Sequence, residues 1–340
     1  MKGRALLVPR ARGEEVRRQL VAAGVLRTDL AILREEDDLA FPLTEEAVPD
    51  PAWGTVGERD FPEREAGAVT AFRELLDWPA EALDQLPRSF DVVGDIVLVR
   101  LPPELEARRL EVGEALLRFV PGSRLVGLDR GVRGPERRRD VERIAGAGGW
   151  TTRHRENGLE IDVDLERAYF SPRLAHEHAR VAATIRPSER VYDLCCGVGP
   201  FSLTIARDGR AREIVAVDAN PAAVQLLRSS LARYRFATPV SAVEGRIEAF
   251  VGSAEPADAV VVNLPHEGIK CATLVAPTVS PGGRLTFYEV LARDELPTRG
   301  VTVEKLLRPL GRWTVADVHL VHPYSPSSDL VAVTALRGGA

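Results

Sequence analysis

Cysteine is scarce: only Cys195, Cys196 and Cys271 occur, which excludes a fold framed by disulfides. The neighbouring pair lacks metal-ligand spacing and reads as two small buried residues at a strand end, so no metal is expected. Long apolar runs are absent too, and no leader pattern is visible; a soluble, cytoplasmic protein without a membrane partner is expected. Lysine is confined to Lys2, Lys270 and Lys305 against 42 arginines, a bias of genome composition rather than of function. With a net charge of −5 the chain carries no general cationic coat, so any nucleic-acid surface has to be local. Internal repeats and low-complexity tracts are lacking.

What is present is 340 residues with 45% apolar content, enough for two or three domains with sizeable cores. The organising stretch is Val191-Tyr192-Asp193-Leu194-Cys195-Cys196-Gly197-Val198-Gly199-Pro200-Phe201. An apolar run ends in an acid, then a Gly-x-Gly turn, then a helical pattern. Glycines there permit positive φ and close approach of a ligand. A second apolar run, Glu213–Val217, ends in Asp218, the position from which a carboxylate grips a ribose diol. Two glycines rather than three argue against a pyrophosphate ligand. A tight turn without a ligand remains the competing reading of these residues.

From 187 to 338 strand and helix patterns alternate, as in a doubly wound α/β sheet. Ala259–Val262 runs as a strand into Asn263-Leu264-Pro265, which then faces the same crevice as Gly197 and Asp218; a structural loop is the alternative. Trp313–His322 and Leu330–Leu336 read as a closing antiparallel pair. Upstream, Arg4–Val8 predicts a strand, Gly13–Ala23 a helix, Thr28–Leu33 a further strand, and the Pro- and acid-rich stretch 51–68 a linker. Leu105–Phe119 predicts a helix buried through Leu110, Ala115, Leu116 and Phe119. Residues 121–155 hold nine arginines and four acids, either an arginine surface for phosphate and purine edges or an exposed basic loop. Asn157-Gly158 marks a hairpin. Ser171 caps a helix opening with Pro172, which places Arg173 and Glu177 on one face, as a surface ion pair or as working groups.

Tyr169–His178, Asp193–Phe201 and Asn263–Pro265 together resemble the Trm5 type of tRNA methyltransferase, which methylates N1 of guanine 37. Lys2–Leu43, Phe90–Arg100, Gly134–Val163 with its Arg-Glu-Asn-Gly turn, and His322–Pro326 extend the resemblance over nearly the whole chain. It implies a class I S-adenosylmethionine-dependent methyltransferase fold, a Rossmann-like sheet with a closing hairpin, plus two smaller N-terminal α/β domains. The implied division is 1–50 for tRNA recognition, 51–68 as linker, 69–165 as a middle RNA-binding domain and 166–340 as the catalytic domain. S-adenosylmethionine is the implied cofactor, and the tRNA anticodon loop at position 37 the implied partner.

Residue by residue, the resemblance implies that Glu177 is the general base, Arg137 a contact to guanine O6, and Asn263 and Pro265 the holders of the base edge. Tyr169 would help position base and cofactor. Asp193, Gly197, Gly199, Phe201, Asp218, Asn263 and Arg173 would form the cofactor site. Two positions depart from the pattern: Arg246 follows Gly245 where the family has an acid toward adenine, with Glu244 as a possible substitute, and Glu136 replaces an aromatic residue before Arg137. The chemistry is coherent. Neutral guanine carries a proton on N1, a carboxylate can take it, and an arginine can stabilise the charge that builds on O6. The base has to leave its stack to react. Aminocarboxypropyl transfer or methylation of a tricyclic wyosine intermediate at the same position is the alternative within the superfamily; a non-catalytic tRNA-binding protein is the alternative outside it.

Overall fold

The computed structural model describes residues 2–27, 29–35, 37–62, 69–134, 138–325 and 327–339. The chain separates into two compact units, Met1–Glu74 and Leu75–Ala340. In the first, strands β1 (Lys2–Pro9), β2 (Leu33–Arg34), β3 (Asp38–Pro42) and β4 (Thr55–Asp60) form a sheet in the order β2-β3-β1-β4. Helix α1 (Gly13–Ala22) buries Val16 and Leu20 against Leu6, Val8 and Phe41. Two expectations need correction. Thr28–Leu33 is not a continuous strand: β2 begins only at Leu33, and Thr28 lies outside the described residues. The stretch expected as a linker contains β4, paired antiparallel with β1. As an edge strand it is largely exposed and carries Glu58, Arg59 and Asp60. Charges of this kind protect a sheet edge and also erase the apolar alternation by which a strand is read.

The second unit begins with the short helix α2 (Ala80–Asp84) and the hairpin β5 (Asp91–Val93) and β6 (Ile96–Val99). Helix α3 (Arg109–Phe119), β7 (Leu125–Arg133) and β8 (Arg138–Gly146) complete a sheet in the order β5-β6-β7-β8. Helix α3 buries Val112, Ala115 and Leu116, whereas Leu110 is exposed. The hairpin β9 (Thr151–Glu156) and β10 (Leu159–Asp164) turns at Asn157 and Gly158, both at positive φ. Its apolar face, Leu159, Ile161 and Val163, shares one core with Ile96 and Leu125 on one side and Leu203, Ala223 and Leu227 on the other. The expected boundary at 165/166 therefore runs through a common core.

Beyond it come α4 (Ala175–Thr184), β11 (Arg190–Leu194), α5 (Pro200–Asp208), β12 (Glu213–Asp218), α6 (Pro221–Leu231), β13 (Val240–Glu244), α7 (Ile247–Val251), β14 (Ala257–Val262), α8 (Gly268–Val275), β15 (Val279–Ala292), α9 (Arg299–Leu307), β16 (Trp313–Pro323) and β17 (Ser328–Arg337). The seven-stranded sheet runs β13-β12-β11-β14-β15-β17-β16. Strands β11 to β15 pair in parallel, and β17 pairs antiparallel with both β15 and β16. The order reverses at β11, between β12 and β14, which opens a crevice at the carboxyl ends of these strands. Among the described residues no helix is long and apolar enough to cross a membrane.

Candidate active site

The chain leaves β11 through Cys195, a non-glycine residue at φ 62°, and turns at Gly197 (φ 57°) and Gly199 (φ 75°). Left-handed backbone at a residue with a Cβ is costly and concentrates at functional turns. The two glycines answer different needs. A Cβ on Gly199 would stand 2.4 Å from the buried Leu227, so this glycine lets α5 pack on α6. A Cβ on Gly197 would meet nothing nearer than the Tyr169 carbonyl oxygen at 3.7 Å; its face is open to a ligand. The Asp218 carboxylate accepts the Gly197 N–H at 2.7 Å and the Asn220 N–H at 2.8 Å. It braces the turn and stands at the strand end where a ribose would lie. Asp193 is fully buried and accepts from the Ser202 N–H (3.1 Å) and Oγ (2.6 Å), tying the strand to the first turn of α5. Burial pushes its carboxyl up to about 6. At the end of β13, Glu244 sits in register with Asp218, while Arg246 is exposed and 3.4 Å from Glu248. Phe201 is buried, its ring 4.5 Å from that of His178 and 5.6 Å from that of Tyr288. It backs the crevice rather than lining it.

Glu177 is not a surface residue: on α4 it is 4% exposed. Arg173 does not pair with it but binds Asp91 at 2.8 Å. Instead Glu177 Oε1 accepts from Arg180 Nη2 and from the Tyr288 hydroxyl, each at 2.7 Å, and Oε2 accepts from Arg180 Nε at 2.8 Å. His319 Nε2 lies 3.3 Å from Oε2. Burial pushes the carboxyl up, but the Arg180 and Tyr288 hydrogen bonds outweigh it and hold it below the usual carboxylate range. At neutral pH the group is therefore ionised, with Arg180 and Tyr288 filling three of its roughly four acceptor positions and His319 beside the fourth. Strand register sets the level of its partner Tyr288. Val262, the last residue of β14, pairs with Phe287 and with Leu194. Tyr288, the residue after Phe287, is thus level with Asn263, the residue after Val262, and with the start of the glycine turn. Asn263 and Pro265 are half-buried there, and the Pro265 carbonyl accepts the Val290 N–H at 3.2 Å.

Arg137 lies outside the described residues. Arg139, two residues further along the same run, is buried, paired with Asp129 and donating to the Phe170 carbonyl at 2.7 Å. Its guanidinium lies 5.1 Å from the centre of the half-exposed Tyr169 ring. Most of the basic stretch is compensated in the same way. Arg124 binds Asp95, Arg130 binds Glu106 and Glu142, and Arg153 and Arg155 bind Glu160. Acids outside the run supply several of these partners, so its excess charge overstates a free phosphate surface. A cleft of about 470 Å³ is lined by Arg100, Arg130 and Arg133 with Asp129 and Glu106; its most exposed arginines, Arg100 and Arg133, pair with Asp129 at 3.2 Å and Asp140 at 2.5 Å. The Asn-Gly turn reaches the site from the other side: Asn157 Nδ2 donates to the Ala175 carbonyl at 2.8 Å, and Glu156 binds the buried His178. Sequence reasoning missed Arg139, Arg180, Tyr288 and His319. Arg180 lies three residues from Glu177 and was visible as a helical neighbour; Tyr288 and His319 lie more than a hundred residues away on strands, with no local signal.

Comparison with known proteins is consistent along the chain. Residues 5–50 match the tRNA methyltransferase 5 N-terminal domain, 72–149 the TYW2 N-terminal domain and 152–310 the TRM5/TYW2 methyltransferase domain. The tRNA (guanine(37)-N(1))-methyltransferase Trm5b of Pyrococcus abyssi is 32% identical over 84% of this chain and 83% of its own length. Its crystal structure superposes with a TM-score of 0.72 at 28% identity, covering 98% of this chain and 99% of that one. A complex of aTrm5 with tRNALeu superposes at 0.68 and 25% identity, covering 98% and 99% of the two chains. Methanocaldococcus jannaschii Trm5 bound to adenosine does so at 0.66 and 25% identity, covering 99% of each. A Pyrococcus horikoshii tRNA(Phe) (4-demethylwyosine(37)-C(7)) aminocarboxypropyltransferase is 32% identical, but over only 46% of this chain and 56% of its own length.

Proposed function

The chain belongs to the Trm5 family of tRNA (guanine37-N1)-methyltransferases, and we infer that it transfers a methyl group from S-adenosylmethionine to N1 of guanine 37 in the tRNA anticodon loop. The residues at the turn fit the cofactor: Gly197 leaves open space at the backbone and Asp218 presents a carboxylate at the adjoining strand end. Gly197, Asp218 and Asn263 would hold it, with Glu244 in place of the missing acid at 246. Gly199, Asp193 and Phe201 shape the turn from behind, and Arg173 anchors the segment leading into α4. When bound, S-adenosylmethionine supplies an electrophilic methyl on a sulfonium.

The protein's own task is to make N1 of guanine nucleophilic. Glu177 takes the N1 proton, a contribution of about 10²–10⁴ in rate for a positioned base. For this, one of the contacts around its carboxylate has to give way. Arg137 stabilises charge on O6, the Asn263 amide and Pro265 fix the base edge, and Tyr169 stacks beside it. Arg100 and Arg133, exposed but paired with Asp129 and Asp140, meet phosphates by exchanging those partners, which makes affinity salt-sensitive. The first domain recognises tRNA, the middle domain binds RNA, and a cytoplasmic location follows the substrate. The observation that carries this reading is the register that sets Tyr288, hydrogen-bonded to Glu177, level with Asn263. Mass analysis of nucleosides from unmodified tRNA treated with the protein tests it: 1-methylguanosine is expected. The match of 72–149 to a TYW2 domain favours one second reading, and an aminocarboxypropyl adduct in the same assay would establish that instead.

A further inference from the structure

The carboxylate of Glu177 is buried, yet one of its contacts leads outward. His319 Nε2 faces Glu177 Oε2 at 3.3 Å, and His319 Nδ1 faces Asp317 Oδ2 at 2.7 Å. The Asp317 side chain is 47% exposed, the His319 side chain 28% and the Glu177 side chain 4%. Three groups in contact thus run from the interior to solvent. Register explains the placement: Tyr288 on β15 pairs with Ala332 on β17, which pairs with His319 on β16, so Tyr288 and His319 stand on the same side of the sheet beneath α4. The charged and titratable groups facing the histidine are Glu177 and Arg180 from α4 and Asp317 from its own strand. Tyr288 comes from β15, and β17 places Ala332 between the two strands. Arg180 also approaches Asp317, at 4.0 Å.

We propose that His319, backed by Asp317, is the proton-exchange residue of the site: it occupies the accepting position of Glu177 in the free enzyme, yields it to guanine N1–H, and returns to remove the proton that Glu177 has taken. This rests on Glu177 being the base. Between the two carboxylates the ring donates from both nitrogens, a role that needs both ring protons. Of the groups on Glu177 it has the longest contact, 3.3 Å against 2.7 to 2.8 Å for Arg180 and Tyr288, hence it is the one a substrate displaces. Displaced, it loses one proton to water. Glu177 then accepts the N1 proton as the N1–H bond breaks and the carboxyl O–H bond forms. After product departs, the neutral ring takes that proton at Nε2, which restores the carboxylate and the imidazolium. One proton enters from guanine and one leaves to water in each cycle. His319 is a positioning residue acting through Glu177, since it does not touch the reacting atoms.

The test separates first from later turnovers, using unmodified tRNA transcript and S-adenosylmethionine. For His319→Ala the single-turnover rate is expected to stay near that of the parent, while steady-state turnover falls by roughly tenfold or more and free imidazole restores it. Asp317→Asn, a change at an exposed side chain, is expected to give the same split more weakly, and it carries the test should the histidine variant fail to fold. A parallel fall of single-turnover and steady-state rates, or no change in either, overturns the proposal. Glu177→Gln keeps the two readings apart. If it loses single-turnover activity while the His319 and Asp317 variants show no split, exchange through His319 is wrong and the base stands; if it keeps that activity, the assignment of Glu177 itself falls.

Discussion

Replacing Glu177 by glutamine tests the assignment most directly, and the structure sets the size of each effect. The carboxylate accepts from Arg180 twice and from Tyr288, and His319 Nε2 faces it at 3.3 Å. A glutamine whose oxygen stays on Tyr288 and Arg180 Nη2 turns its amide N–H₂ toward Arg180 Nε, donor against donor. Breaking a buried ion pair from one side costs about 3–5 kcal/mol. The Arg180 side chain is 27% exposed and regains some water, so the lower end, about 3 kcal/mol, is expected. For a chain of this length that lowers Tm by about 4 °C. The rate effect is separate. Removing the proton acceptor should cost about 10²–10⁴ in the single-turnover rate, measured well below the melting transition with enzyme in excess. S-adenosylmethionine affinity, read by calorimetry, should stay within about threefold of the parent, since no hydrogen bond of Glu177 reaches the glycine turn. The held-down carboxyl adds a sign. Its stabilising contribution is present above the ordinary carboxylate value and is lost only as pH falls through its lower folded value, so acid titration of stability should be shifted in the variant. A single-turnover rate within twofold of the parent would refute the reasoning, whatever happened to stability.

The two glycines of the turn should fail differently: Gly199→Ala should lose about 2–5 kcal/mol from left-handed strain and collision with Leu227, whereas Gly197→Ala should lose only about 1–2 kcal/mol but bind S-adenosylmethionine at least about tenfold more weakly. Thermal melts and calorimetry on both variants check this, and equal losses of affinity would contradict it. Asp193, with its carboxyl raised from 3.8 to about 6, should make the folded state less stable by about 3 kcal/mol as pH rises from below 4 to above 6; stability curves of Asp193→Asn that run parallel to the parent across that window would exclude this source. Arg139→Ala should cost about 3 kcal/mol, the lower end for breaking a buried ion pair, because Asp129 keeps Arg100 at 3.2 Å and the Gly131 N–H at 2.9 Å. Arg139→Lys should not restore methylation, because an ammonium cannot bind Asp129, span to the Phe170 carbonyl and face the Tyr169 ring at once; full activity of the lysine variant would remove Arg139 from the support of Tyr169.

What the sequence disclosed and what it hid divide along a physical line. The glycine turn, Asp218 and the Asn157-Gly158 hairpin were legible because each is a local device, a strained turn or a strand end whose requirements fall within a few neighbouring residues. β4 was hidden because an exposed edge strand tolerates Glu58, Arg59 and Asp60 and shows no alternation. The burial of Arg139 was hidden because a run of arginines looks the same whether its partners are phosphates in solution or acids such as Asp129 nearby in the fold. The setting of Glu177 was hidden for a stronger reason. Helical spacing on α4 told only that Arg173 and Glu177 share a face; it could not tell that Tyr288 and His319, on β15 and β16, would close over the second of them. Those partners decide the group's chemistry. An exposed glutamate paired with Arg173 would be ionised, screened and inert, whereas the same residue buried under Arg180 and Tyr288 is ionised because specific donors hold it so. As the proposed base, such a group would accept a proton only when one of these contacts is exchanged for the substrate, which would make the order in which its neighbours let go as much a part of catalysis as the carboxylate itself.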